Sequence, residues 1–240
     1  MELFKKLEIE TASLCNRSCK MCLRVCYPDR EKVSSWLKMN YLPIELIFKI
    51  IDEAERMQFN GELGLSHYNE PLLDKRLVKI AQYAKNKRIF SKISFCTNGD
   101  LFDEQKIKQI DGVFDEIIIS RTSEEFKTNN LFKHTKVLFT NKQYVFKHFD
   151  PSEKLAQEIQ NNKNKPCFMG QTGMYINHKG DMLMCCSDLI GHFELGNVNN
   201  LTLQQLWFSE KHKNLLEKLS NDNSRNNYEH CRICPLPSKY

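Results

Sequence analysis

Three cysteines near the N-terminus have the spacing of a metal-binding loop. Cys15, Cys19 and Cys22 follow one another as C-x3-C-x2-C. Thiolates this close in sequence can face one point and bind three irons of a four-iron, four-sulfur cubane. The fourth iron then has no protein ligand and stays open to a small molecule. A zinc knuckle is the structural alternative, with Cys26 as its fourth ligand.

Four of the five cysteines in the last third of the chain form a second set. Cys231 and Cys234 form a tight C-x2-C pair, and Cys167 and Cys185 precede them. Four thiolates could fully ligate a second cubane or hold a tetrahedral structural zinc ion, and their spacing alone does not separate the two. Cys186 lies beside Cys185, so the sequence leaves open which of the two is a ligand.

The composition is that of an ordinary globular protein and excludes several function classes. The chain has 240 residues, 41% of them hydrophobic and 27% charged. Its 35 Lys and Arg are scattered among 30 Asp and Glu, so we expect no nucleic-acid partner. No apolar run has the length of a membrane span, and the first residues lack the apolar core of a signal peptide. We therefore expect a cytoplasmic protein without a membrane partner. Because thiols stay reduced in the cytoplasm, the ten cysteines predict metal binding rather than disulfides.

Strand-like and helix-like segments alternate through the first 150 residues. We predict strands at 7–11, 62–67, 92–97, 116–120 and 136–139, and helices at 43–54, 72–85 and 104–110, with one more helix between the last two strands. This alternation implies right-handed crossovers and a parallel sheet, which we expect to curve into a partial barrel. Ligands of such sheets bind at the carboxyl ends of the strands.

The character of the chain changes near residue 150. Residues 173–177 and 182–185 have the pattern of a β-hairpin, and 203–219 that of an amphipathic helix. We expect His178, in the hairpin turn, to be a surface residue. The sequence thus predicts an α/β barrel domain at 1–150 and a small cysteine-rich domain at 151–240. The second is too small for a large core of its own, so a metal site would help it fold.

The first cysteine loop follows the first predicted strand, and this arrangement resembles the radical S-adenosylmethionine (SAM) superfamily. The superfamily normally has an aromatic residue before the third cysteine; this chain has Met21, whose thioether can also pack against adenine. The C-terminal order of Cys167, a hairpin ending in Cys185, and Cys231-x2-Cys234 resembles the shortened SPASM module called a twitch domain. Along nearly the whole chain, the resemblance is strongest to radical SAM dehydrogenases of the 2-deoxy-scyllo-inosamine type.

This resemblance implies a set of SAM contacts at the strand ends. Glu70, in Tyr68-Asn69-Glu70-Pro71, matches the superfamily's Gly-Gly-Glu element and would hold the SAM ammonium, with Asn69 in place of a glycine. Asn98 ends the next strand, and the strand after it closes with Ser120 and Arg121. The cofactor-binding residues implied by the resemblance are Met21, Tyr68, Asn69, Glu70, Asn98, Ser120 and Arg121.

The resemblance also implies a reaction. A [4Fe–4S] cluster on Cys15, Cys19 and Cys22, reduced by a flavodoxin or ferredoxin, would cleave SAM, and the adenosyl radical would take hydrogen from a substrate carbon. An auxiliary [4Fe–4S] cluster on the second cysteine set would accept an electron as an alcohol is oxidised. The implied substrate is a small molecule such as a sugar or cyclitol. The resemblance is poor at residues 122–165, where we expect 146–150 to border the substrate.

Three alternatives stay open at this level. Related SPASM enzymes modify peptides, so the substrate could be a peptide or protein. A radical epimerase would need a thiol as hydrogen donor, for which Cys26, Cys96 and Cys186 are candidates outside both cysteine sets. The non-enzymatic alternative is an interaction protein that binds zinc at both sets.

Overall fold

The computed structural model describes residues 1–20, 22–27, 29–38, 40–121, 131–141, 159–232 and 234. Met21, the segment 146–150 and most of the helix predicted between 121 and 136 lie outside these ranges. The described strands are β1 (Lys6–Ile9), β2 (Glu62–Gly64), β3 (Lys92–Thr97), β4 (Glu116–Arg121), β5 (Lys136–Asn141), β6 (Gly173–Ile176) and β7 (Met182–Leu183). The described α-helices are α1 (Leu23–Cys26), α2 (Arg30–Trp36), α3 (Ile44–Arg56), α4 (Leu77–Lys87), α5 (Glu104–Ile110), α6 (Leu203–Trp207), α7 (Glu210–Leu219) and α8 (Glu229–Arg232).

Within the described ranges, seven strands form one sheet in the order β5-β4-β3-β2-β1-β6-β7. Every neighbouring pair is parallel except the hairpin of β6 and β7. In the register of the central strands, Glu8 lies beside Gly64 of β2 on one side and Tyr175 of β6 on the other. The predicted parallel α/β architecture is confirmed.

The two faces of the sheet differ in polarity. In β1, Leu7 and Ile9 are fully buried in the main apolar core, while the alternate residues Lys6 and Glu8 are less buried and belong to the other face. Residues of α3 and α4 belong to the same apolar core as Leu7 and Ile9, so these helices cover that face. The opposite, polar face is therefore left to line a cavity.

The C-terminal region shares the apolar core of the barrel. Its hairpin extends the main sheet beside β1, and Trp207 is fully buried with its indole N–H donating to the Glu2 carbonyl at 2.9 Å. The Glu53 carboxylate on α3 accepts the backbone N–H of Leu203 at the start of α6 (2.8 Å). Packing on the barrel thus supplies the core that this region is too short to build. The boundary predicted at 150/151 falls outside the described residues and stays a prediction.

Three local expectations are wrong. The helix predicted at 203–219 is two helices, because Thr202 caps α6 and the Ser209 side chain caps α7. The helix predicted at 72–85 is a 3₁₀ turn at Pro71–Leu73 followed by α4, because the Asp74 carboxylate binds Arg76 and interrupts the helix.

His178 is the third correction, since it is fully buried rather than on the surface. Its Nδ1 lies 2.6 Å from the Glu10 carboxylate, which gives the buried ring an ionic partner. None of the helices in the described chain is long and apolar enough to cross a membrane.

Candidate functional site

A cavity that opens to solvent lies at the carboxyl ends of β1 to β4, with about 590 Å³ of space when the solvent at its mouth is included. The loop after β1 contributes Cys15, Cys19 and Cys22 to its wall. The segments that end β2, β3 and β4 contribute Tyr68, Asn69, Glu70, Asn98 and Ser120. The structure therefore brings together every predicted SAM-site residue whose side chain it describes. Met21 and the side chain of Arg121 lie outside the described part.

Polar contacts fix the cysteine loop against the neighbouring strand ends. The backbone N–H of Glu70 donates to the Leu14 carbonyl at 2.6 Å, which places Glu70 beside Cys15. Arg17 pairs with Asp100 in the loop after β3, and the Asn98 side chain donates to that of Asn16 at 2.8 Å. The cysteine loop is thus held by the segments that follow β2 and β3.

The thiols of this loop are partly withdrawn from water. Burial raises the pKa of Cys22 to about 12, and it also raises the pKa of Cys15. The guanidinium of Arg24 acts in the opposite direction on both thiols, and its Nη1 is buried without a hydrogen-bond partner. Iron binds thiolates, so a metal centre here would supply the positive charge that ionised thiols need in this site. The residues fit a cluster whose negative charge Arg24 would help to balance.

Glu70 is a buried carboxylate that fits a cationic ligand. It accepts hydrogen bonds from the Thr97 hydroxyl (2.6 Å) and from the backbone N–H groups of Asn98 (2.8 Å) and Leu72 (3.1 Å). Burial nevertheless raises its pKa, and no Lys, Arg or His of the described chain forms an ion pair with it. Beside it, the side-chain N–H₂ of Asn69 is buried without a partner. An ammonium and a carboxylate on one ligand would satisfy both groups.

Tyr68 lies between this cavity and the second cysteine set. Its hydroxyl donates to the Cys186 carbonyl at 3.0 Å, and its backbone N–H donates to the Glu10 carboxylate at 3.2 Å. Burial, followed by the neighbouring thiols of Cys186 and Cys22, raises its pKa well above the ordinary value. One buried side chain thus faces thiols from both ends of the sequence.

The second cysteine set gathers around Cys185. Burial raises the pKa of Cys185 well above its usual value, and the thiols of Cys186, Cys234 and Cys167 add to the effect. Burial also raises the pKa of Cys231 to about 12, with contributions from Cys234 and Cys167. The described cysteines of this set are therefore close enough for their charges to interact.

The Cys186 thiol lies close to the same group, since it also raises the pKa of Cys185. It further acts on the pKa values of Lys6 and Tyr68, on the side of the polar sheet face. The choice of Cys185 over Cys186 as a ligand stays a prediction. Among the described residues, no three His, Cys, Asp or Glu side chains are grouped closely enough to hold a single metal ion; a cubane spreads its thiolates over a wider frame.

The sequence reasoning missed several residues of this site. Arg24 and the Arg17–Asp100 pair gave no signal, because nothing in the spacing shows that residues 83 positions apart will meet. His67 lines the cavity and binds the Glu8 carboxylate, 59 positions away, a contact that has no local signal in the sequence.

Comparisons with known proteins find an iron–sulfur domain family and a shared fold. Residues 167–235 match the SPASM family, described as an iron–sulfur cluster-binding domain. The chain carries a SPASM domain on a radical SAM fold. The predicted partial barrel of the radical SAM type with a C-terminal SPASM-type domain is thereby confirmed.

Two curated relatives are similar in sequence. The S-adenosyl-L-methionine-dependent 2-deoxy-scyllo-inosamine dehydrogenase of Niallia circulans is 20% identical over 241 residues, which cover 97% of this chain and 93% of that protein. The tungsten-containing aldehyde ferredoxin oxidoreductase cofactor-modifying protein of Pyrococcus furiosus is 29% identical over 106 residues, 44% of this chain and 27% of that protein.

Solved structures of radical SAM enzymes share the fold. The crystal structure of BtrN in complex with AdoMet and 2-DOIA matches with a TM-score of 0.76 at 18% identity, covering 96% of this chain and 92% of that one. anSMEcpe with bound AdoMet matches with a TM-score of 0.56 at 13% identity, covering 96% and 84%. The likeness extends over both the barrel and the C-terminal region.

Proposed function

We propose that this protein is a radical SAM dehydrogenase that oxidises a hydroxyl group of a small polyol, with an aminocyclitol as the substrate class. One observation carries the proposal: a single cavity joins Cys15, Cys19 and Cys22 to the buried carboxylate of Glu70. The SPASM match and the full-length similarity to a cyclitol dehydrogenase support the reaction type.

Different residues of the cavity would bind the cluster and SAM. Cys15, Cys19 and Cys22 would hold the cluster with one open iron, and Glu70 and Asn69 would bind the SAM ammonium and carboxylate. When bound, the cluster and SAM together would supply an adenosyl radical that takes a hydrogen atom from the substrate carbon. Tyr68, Asn98 and Ser120 line the same cavity and would complete the cosubstrate site.

The second cysteine set would hold the auxiliary cluster. Cys167, Cys185, Cys231 and Cys234 are the proposed ligands, within the part of the chain that matches the SPASM domain. Alcohol oxidation removes two electrons, whereas hydrogen-atom abstraction removes one. A fully ligated iron–sulfur group in this region would accept the other, and Tyr68 is close to thiols of both cysteine sets.

The setting follows from the same chemistry. Cysteine ligands must stay reduced, so we place the protein in the cytoplasm. A flavodoxin- or ferredoxin-type protein would supply the electron that starts each turnover.

The test is anaerobic reconstitution with iron and sulfide, followed by dithionite, SAM and 2-deoxy-scyllo-inosamine as the probe. Wild-type protein should form 5′-deoxyadenosine and the ketone of the probe in equal amounts. Cys19→Ala should form neither, and Cys234→Ala should form 5′-deoxyadenosine without the ketone. Ketone formation by Cys234→Ala at the wild-type rate would remove the electron-acceptor role.

The alternatives give different results in the same experiment. If the chain is instead a zinc-binding interaction protein, then protein purified without oxygen should contain zinc and no acid-labile sulfide. A radical epimerase would give an inverted product that gains deuterium in deuterated water. Cys96, which lines the cavity with its pKa raised by burial to about 12, would then be the thiol to replace.

A further inference from the structure

A histidine and a glutamate form a buried dyad in the wall of the same cavity. His67 follows β2, and its Nδ1 lies 3.1 Å from the carboxylate of Glu8 on β1. The two side chains are only 4% and 11% exposed. Gly64 leaves the space that Glu8 occupies, because a Cβ there would lie 3.3 Å from the Glu8 Cγ. The Asn69 side-chain oxygen accepts the backbone N–H of His67 at 2.9 Å and fixes its position.

The hydrogen-bond partners determine which ring nitrogen carries the proton. Lys6 pairs with the other oxygen of Glu8, and Lys6 together with His67 lowers the pKa of Glu8 to about 2. The Glu8 carboxylate is ionised and can only accept, so Nδ1 of His67 must donate to it. In the neutral ring, Nε2 is then the basic nitrogen, and it is buried without a partner.

Other titratable groups surround the dyad. Glu10, which follows β1, is close enough for its charge to interact with the ring, and the thiols of Cys96 and Cys186 interact with Glu8 and Lys6. The ring also packs edge-on against Tyr68, with centroids 4.5 Å apart, and lies near Tyr175 of β6, at 5.9 Å. Two carboxylates, those of Glu8 and Glu10, thus lie near the ring.

We propose that His67 is the catalytic base of the oxidation and that Glu8 is its positioning residue. This inference rests on the proposed alcohol oxidation and adds to it the group that removes the hydroxyl proton. Nδ1 is held by a carboxylate while Nε2 is left without a protein partner, which is the arrangement of an oriented general base.

The proton and electron balance is complete with this residue. After the substrate carbon has lost its hydrogen atom, the hydroxyl O–H bond breaks and an N–H bond forms at His67 Nε2. The remaining electron would pass to an oxidised iron–sulfur group that the C-terminal cysteines would hold, as the carbon–oxygen double bond forms. Glu8 holds the resulting imidazolium through Nδ1 until the proton leaves to solvent.

The test compares His67→Gln and Glu8→Gln with wild type, using SAM and 2-deoxy-scyllo-inosamine. In His67→Gln, ketone formation should fall by about 100-fold, the effect of a lost general base. The formation of 5′-deoxyadenosine and the binding of SAM by ultrafiltration should change far less, so the ratio of ketone to 5′-deoxyadenosine falls. In Glu8→Gln, the acid limb of the pH profile of ketone formation should move to lower pH, because the imidazolium has lost its anionic partner.

Two results would overturn the inference. One is ketone formation by His67→Gln at the wild-type rate and with the wild-type pH profile. The other is a parallel loss of ketone and 5′-deoxyadenosine, which would place His67 in cosubstrate binding. Wild-type protein that makes neither product would instead count against the proposed substrate class.

Nitrogen-15 NMR of histidine-labelled wild-type holoenzyme tests the dyad without substrate. The His67 signals, assigned by their loss in His67→Gln, should show a protonated Nδ1 and a bare Nε2 at neutral pH. The reverse tautomer would refute the base assignment.

Discussion

The buried pair of Glu10 and His178 should be one of the strongest polar links in the fold. The Glu10 carboxylate accepts from Nδ1 of His178 (2.6 Å) and from the backbone N–H groups of His178 and Tyr68 (both 3.2 Å). Both side chains are buried, with exposed fractions of 1% and 0%. The pair therefore joins β1, the cavity wall and the hairpin turn, which are far apart in sequence.

Glu10→Gln keeps the shape of the side chain and removes its charge. The His178 ring and two backbone N–H groups then lose a charged acceptor, and hydrogen bonds to a charged group are worth about 1.5–3 kcal/mol. With an m-value of about 3 kcal/mol per molar urea, the midpoint of urea unfolding should fall by about 0.5–1 M. Far-UV circular dichroism of the apo protein at pH 7 measures this shift.

Glu210→Gln is the matched control. Its side chain is 80% exposed and pairs with Lys213 on the surface, so the expected change is within about 0.5 kcal/mol. If Glu10→Gln unfolds at the same urea concentration as this control, the reasoning about the buried pair is wrong.

The contribution of Glu10 should depend on pH in a stated direction. Its pKa is lowered by His178, although burial acts in the opposite direction. A carboxyl with a lowered pKa in the folded state stabilises above its unfolded pKa, and this stability is lost as the pH falls through the folded value. The difference between wild type and Glu10→Gln should thus be full at pH 7 and shrink in acid.

Three further variants test other parts of the structure. Asp100→Asn breaks the partly exposed pair with Arg17, so the free energy of unfolding should change by less than about 1 kcal/mol. The iron and sulfide content of the reconstituted protein should fall, because this pair holds the cysteine loop in place. Unchanged iron and sulfide content would contradict this role of the pair. Ser209→Ala removes the N-cap of α7 and should cost about 1 kcal/mol in urea unfolding, and no loss would mean that the cap is dispensable. Glu70→Gln should weaken SAM binding by about tenfold or more in equilibrium dialysis, since one lost charge contact is worth at least ~1.4 kcal/mol, and undiminished affinity would exclude Glu70 from the ammonium site.

Much of the barrel could be predicted because its local signals agree with the fold. The strand at Lys92–Thr97 and the helix at Glu104–Ile110 have the predicted bounds, since apolar periodicity and an Asp103 cap point the same way. The sequence pattern predicted the wrong helix bounds where polar side chains form hydrogen bonds with nearby residues. Ser209 divides a continuous apolar pattern into two helices, and the Asp74 carboxylate delays the start of α4.

Burial of polar residues was the least predictable property. A histidine in a turn with Lys and Asp normally faces water, yet His178 is fully buried because Glu10, 168 positions earlier, supplies its partner. Neither residue carries a local sign of the other.

By itself, the sequence determined that Cys15, Cys19 and Cys22 lie together, that Cys231 and Cys234 form a pair, and that strands and helices alternate. Thiolates three or four residues apart must lie near one another, whereas the approach of Cys167 and Cys185 to the C-terminal pair depends on the fold. Only the tertiary structure decided which polar groups meet across strands: Glu8 with His67, Arg17 with Asp100, and Tyr68 between the two cysteine sets. Such contacts depend on strand register and on the curvature of the sheet, which many distant residues set together.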